Sequence, residues 1–271
     1  LVWAARPDTP ATVFYGRRIA RIYPAYAVVA LVSVPLIYLF GEMHSPLHLV
    51  QAFLPLTLLQ AWVPHYRITY SGNGVSWSLS CEAFFYLVFP FLVGPITRAS
   101  RRTRFRLIVI MAAAPWVLAL ASRATEDQSA RYLLIYTNPA ARLPEFVIGM
   151  ALAAMLRKGL RLPWLKVWHG VALVSVTYVI AGWAPLYLRS IPITVVPFAL
   201  LIFAAAQADV LGATPRLLRT PLLFVLMAMM LIVPVLMRMF ERLVRVRVLV
   251  PFPDVQPHPE CHQRGCAPEQ S

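Results

Sequence analysis

Long apolar runs, separated by short clusters of arginine, constrain this chain more than any other feature. Several of the runs approach the ~20 residues that cross a bilayer, and the cations between them recur as Arg17, Arg18, Arg21; Arg101, Arg102, Arg104, Arg106; and Arg157, Lys158, Arg161, Lys166. With 59% hydrophobic and only 13% charged residues, the chain falls well short of the charged quarter of a soluble domain. The pattern predicts an all-α, polytopic transmembrane helix bundle. The net charge of +14 then follows the positive-inside rule and gives no reason to invoke nucleic acid, because the cations do not spread along exposed faces.

Read in order, residues 1–12 are a Pro-containing lead-in and 23–40 a first span. Residues 50–64 are apolar but short, with Pro55 and Pro64, and read as an interfacial or re-entrant piece. Residues 65–76 are an outer loop in which His65 is a plain loop histidine. Residues 77–97 return inward, 107–121 go out and 122–141 form a second outer loop. A helix opened by Arg142-Leu-Pro-Glu-Phe ends at Arg157-Lys158, and 167–184, 191–207 and 221–237 complete about seven spans. The membrane domain is expected over 13–237, followed by a basic and then disordered polar tail over 238–271.

The segment Trp77 to Pro90 carries the chemistry. On a helix Ser78, Glu82 and Tyr86 share one face among aromatic neighbours. A carboxylate inside a span is costly and marks a functional site by default. A capping box would need Ser or Thr at position 79, where Leu79 stands, while pairing with an arginine of another helix stays open. In the first cluster, Arg17, Arg18 and Arg21 at three- and four-residue spacing suit phosphate recognition or a headgroup anchor. Glu145 and Pro144 fit the first turn of their helix, complementing its N-terminus. No metal site is expected: His44 and His48 lack a third ligand and flank Pro46, and Cys261, His262 and Cys266 lack a fourth.

Three segments in order resemble the membrane acyltransferase family 3: Phe14-Tyr-x-Arg-Arg-x-x-Arg-Ile-Tyr-Pro, Trp77-Ser-Leu-Ser-x-Glu-x-x-Phe-Tyr-x-x-Phe-Pro, and Leu143-Pro-Glu-Phe-x-x-Gly149. The resemblance spans roughly residues 13–208. It implies acyl transfer from cytoplasmic acyl-CoA, with acetyl-CoA the expected donor, to a hydroxyl of a sugar or glycan; the lack of a eukaryotic sorting signal in the sequence leads us to expect a bacterial cytoplasmic membrane. The resemblance further implies that Arg18 and Arg21 meet the coenzyme phosphates, and Arg17 beside them is a third candidate. Glu82 and Ser78 are the candidate catalytic residues, with Trp77, Tyr86 and Glu145 as substrate-contacting or structural residues.

The family's first helix carries an Arg and the His expected as general base, and no histidine of this sequence matches it. The last predicted span ends in Arg238, Arg242 and Arg245, against the positive-inside parity. The chain is therefore expected to be truncated at both ends, and an inactive remnant is the rival reading. A transporter of a lipid-linked substrate, the other rival, predicts repeated halves that the sequence does not display. From helix geometry alone, Glu82 is expected near the outer end of its helix with Arg18 and Arg21 at the opposite face.

Overall fold

A computed structural model of the chain describes residues 10–40, 47–71, 73–125, 127–185, 188 and 191–212. Among them every regular element is helical: α1 (Ala11–Phe40), α2 (Leu47–Leu56), α3 (Tyr66–Thr69), α4 (Trp77–Arg98), α5 (Arg101–Ala121), α6 (Gln128–Tyr136), α7 (Pro139–Arg157), α8 (Val167–Trp183) and α9 (Val195–Val210). Three stretches of the described residues, Trp77–Arg98, Arg101–Ala124 and Gln128–Arg157, are long and apolar enough to cross a bilayer. With 17 and 16 residues, α8 and α9 extend about 25 Å each, short of a ~30 Å hydrocarbon core. A membrane-embedded helical protein is thus supported. The full count of seven is not, and 221–237 and the tail lie outside the described residues.

Several helix boundaries differ from the sequence reading, each for a local reason. The first helix begins at Ala11 instead of Tyr23, so Arg17, Arg18 and Arg21 sit within it. The arginine run opens α5 instead of preceding it, because Ser100 caps the helix by accepting from the Thr103 amide at 3.1 Å. The expected outer loop 122–141 contains α6, capped by Asp127 accepting from Ser129 at 2.8 Å. The helix carrying Glu145 starts at Pro139, with the Asn138 side chain accepting from Ala140 at 2.9 Å. Pro139, not Pro144, therefore takes the first helical position, where its missing N–H costs nothing. The short apolar segment after α1 is α2 followed by a 3₁₀ turn at Gln60–Trp62.

The core lies between α4, α5 and α7. Ile96, Val147, Ala151 and Ala154 are buried there, flanked by Leu92, Leu107 and Met111. A second apolar cluster, Leu156, Leu165, Phe203 and Ala204, ties the end of α7 to α9. The α8–α9 crossing depends on a missing side chain: a Cβ on Gly170 would stand 2.8 Å from the Leu201 Cα. Small residues permit such close backbone approach between membrane helices. The loop entering α8 is pinned by buried Gln207, whose amide accepts from the Leu162 N–H at 2.7 Å and donates to its carbonyl at 3.0 Å.

One buried charge shapes the turn between α4 and α5. Arg104 is only 1% exposed. Its guanidinium donates to the Ile96 carbonyl at 2.9 Å, to Thr97 at 3.1 Å and to Ala99 at 2.6 Å. These carbonyls belong to the last turn of α4, where intrahelical partners run out. Arg104 is therefore the C-terminal cap of the neighbouring helix, and it fixes the α4–α5 turn.

Candidate active site

The site is built where α1 crosses α4. Phe14 is buried, stacks on Phe89 with ring centroids 5.3 Å apart and meets Tyr86 edge-on at 6.1 Å. The Tyr15 hydroxyl donates to the Leu87 carbonyl at 2.9 Å. Farther along α1, Tyr23 and Tyr26 donate to the carbonyls of Leu56 and Pro55 at 3.2 and 2.5 Å, anchoring it to the end of α2. The 3₁₀ turn after α2 is itself tied to the start of α4, with buried Gln60 donating to Ser76 at 3.1 Å and Ser80 to the Leu58 carbonyl at 2.5 Å. Leu58 takes the left-handed backbone (φ 58°) that presents this carbonyl.

One turn after Phe14, the half-buried Arg18 lies over two rings, its guanidinium carbon 5.3 Å from the Phe14 centroid and 4.9 Å from that of Tyr86. Phe14 and Arg18 share a face because they are four residues apart. The Tyr86 hydroxyl donates to the Glu82 carboxylate one turn back along α4. The result is a column of guanidinium, phenol and carboxylate spanning two helices. Arg17 and Arg21 flank it and are exposed.

This overturns the expected separation of the charged groups. Tyr86 lies nine residues into α4 and twelve from its end, or about 14 and 18 Å at 1.5 Å per residue. Arg18 is therefore near the middle of α4 and within one turn of the Glu82 level. The difference arises because α1 begins twelve residues before the predicted span, so that Phe14 meets Phe89 and Tyr15 meets Leu87 in the middle of α4.

The remaining candidates divide around α4. Ser78 is on the predicted face, but it is exposed and its hydroxyl donates to the Val75 carbonyl at 2.9 Å, outside the column. Trp77 packs on α6, its ring 5.1 Å from Tyr136. Glu145 lies in the second turn of α7 and forms an ion pair with Arg142 at 2.9 Å, in place of the expected complement to the helix N-terminus. Arg142 also covers the Tyr136 ring at 5.5 Å. Trp77 and Glu145 thus belong to a second cluster on the α6–α7 side. The spacing of Arg142 and Glu145, three apart on a helix, was the signal for that pair.

Chemically, the column offers an anion-binding edge beside a carboxylate. The Arg18 guanidinium, held over the Phe14 and Tyr86 rings, carries five N–H donors of the kind that bind a phosphate or a developing oxyanion. Glu82 holds a phenol proton and accepts further hydrogen bonds from a hydroxyl. Among the described residues no three His, Cys, Asp or Glu gather as metal ligands; His44, Cys261, His262 and Cys266 lie outside them. His65 is exposed beyond the start of α4.

Comparison with known proteins identifies the family. The family described as "Acyltransferase domain" matches residues 1–253. The chain is similar to "Acyltransferase MdmB" of Streptomyces mycarofaciens, 33% identical over 228 residues, which is 78% of this chain and 57% of that protein. It is also 30% identical over 155 residues to an uncharacterized protein of Haemophilus influenzae, covering 52% of this chain and 61% of that one. The chain thus spans less than two thirds of each of these curated relatives. No solved structure matches. With the family match extending over nearly its whole length, the chain belongs to this acyltransferase family.

Proposed function

We propose that the protein is an integral membrane O-acyltransferase that moves an acyl group, acetyl in the first instance, from acyl-CoA to a hydroxyl of a sugar or glycan acceptor. The observation that carries this reading is the Arg18–Tyr86–Glu82 column, within the region that the family matches. In the reaction the acceptor oxygen attacks the thioester carbonyl and loses its proton to a base. The tetrahedral oxyanion then collapses, and the thiolate leaves and takes up a proton. Arg17 and Arg21, exposed beside the column, meet the coenzyme phosphates together with Arg18. Glu82 orients the base or holds the acceptor hydroxyl, and Tyr86 fixes its rotamer. The base is assigned to the family's histidine, which no histidine of this sequence matches.

The arginine clusters at 98–106 and 157–166 support, through the positive-inside rule, an orientation with those helix ends in the cytoplasm, and we assign the donor to that side of a bacterial membrane. The test is transfer of label from acetyl-CoA to the glycan fraction of membranes expressing the protein. Glu82→Gln and Arg18→Ala are each expected to reduce it by roughly 100-fold, the scale of a lost acid–base partner or oxyanion donor. Transfer unchanged in both variants would overturn the assignment.

A further inference from the structure

A second site lies at the other end of α4. Phe89, Val93 and Ile96 of α4, with Met150 and Ala153 of α7, line a cavity of about 260 Å³. The two helices run parallel here, and at the cavity's inner end stand Arg157 and Lys158. Cations at a helix C-terminus ordinarily serve the carbonyls they follow. At both helix ends flanking this cavity that task is already done by other residues. Arg104 caps α4 through three carbonyls. Arg161 donates to the Leu156 and Leu160 carbonyls at 2.7 and 2.9 Å, closing α7. Arg157 and Lys158 are exposed, and the ion pair formed among the described residues, Arg142–Glu145, involves neither.

We infer that this cavity is a binding site for an anionic glycerophospholipid, with one acyl chain between α4 and α7 and the phosphate at Arg157 and Lys158. The walls are apolar along the bilayer depth and basic only at the end that positive-inside orientation assigns to the anionic leaflet. Basic pockets between membrane helices on that side recognise such headgroups. A general topological role for these cations does not account for their position on the mouth of an apolar cavity. Arg101 and Arg102, equally exposed at the same end, provide the charge-matched comparison. The inference does not depend on the acyl-transfer reading.

The experiment follows the protein, purified in detergent, by thermal unfolding and native mass spectrometry with dioleoylphosphatidylglycerol or dioleoylphosphatidylcholine added. Wild type is expected to retain phosphatidylglycerol preferentially and to be stabilised by it. Arg157→Gln/Lys158→Gln should weaken that preference by about fivefold per cation removed, while Arg101→Gln/Arg102→Gln leaves it intact. Ala153→Phe, with Ala153→Leu as a milder filling, should reduce retention of both lipids. Equal losses in the two charge variants would overturn the proposal by showing a diffuse surface effect. Stabilisation by palmitoyl-CoA but not by phosphatidylglycerol would also overturn it and give the cavity to the donor's acyl chain.

Discussion

The two arginine clusters at Arg17–Arg21 and Arg101–Arg106 are alike in sequence, both short basic runs beside apolar spans. The structure separates them. In the second, Arg104 is fully buried and spends its donors on three carbonyls of α4. In the first, Arg18 lies over the rings of Phe14 and Tyr86, with the Glu82 carboxylate bonded to that same Tyr86. A guanidinium whose hydrogen bonds end on backbone carbonyls belongs to the scaffold. One held over aromatic rings beside a carboxylate is the candidate for chemistry.

The sharpest way to break this comparison is to remove both cations in turn and follow stability. Arg104→Ala strands buried carbonyls, each costing about 1–3 kcal/mol, so the predicted loss is the largest, on the order of 3–5 kcal/mol. Arg18→Ala is expected to cost about 1 kcal/mol, the scale of an exposed or partly exposed cation–π contact. Denaturant unfolding in detergent reads both, and equal costs would erase the distinction.

A smaller effect tests the scaffold apart from its charges. Gly170→Ala pushes a Cβ against the Leu201 backbone and should destabilise by about 1–3 kcal/mol through forced helix separation. Acetyl-CoA binding by the protein that remains folded should be unchanged.

The smallest effect concerns the other side of α4. The Arg142–Glu145 pair is partly exposed, so a double-mutant cycle with Arg142→Ala and Glu145→Gln should give a coupling below about 1 kcal/mol. A larger coupling would mark that cluster as more than a local ion pair and bring Glu145 back as a site residue.

What was legible in the sequence was what local spacing controls. The span beginning at Trp77 and the shared face of Glu82 and Tyr86 follow from helical period, and α4 matches them. Signals for two missed boundaries were also present: Asp127 and Asn138-Pro139 are a cap and a cap followed by a first-position proline. Composition outweighed them, because polar residues between apolar runs read as loop. The depth of Arg18 was not legible. It depends on the register between α1 and α4, set by Phe14 on Phe89 and Tyr15 on Leu87, contacts more than seventy residues apart. The role of Arg104 was hidden for the opposite reason: its partners are backbone carbonyls, which every sequence supplies.

The central claim is that the α1 arginines serve the donor and the α5 arginines do not. Acetyl-CoA binding by the purified protein tests it most directly, comparing Arg18→Ala/Arg21→Ala with Arg101→Ala/Arg102→Ala. The account predicts that the first pair weakens binding at least tenfold, about 1.4 kcal/mol, while the second leaves it within about twofold. Equal weakening by both, or loss only in the second, would contradict it.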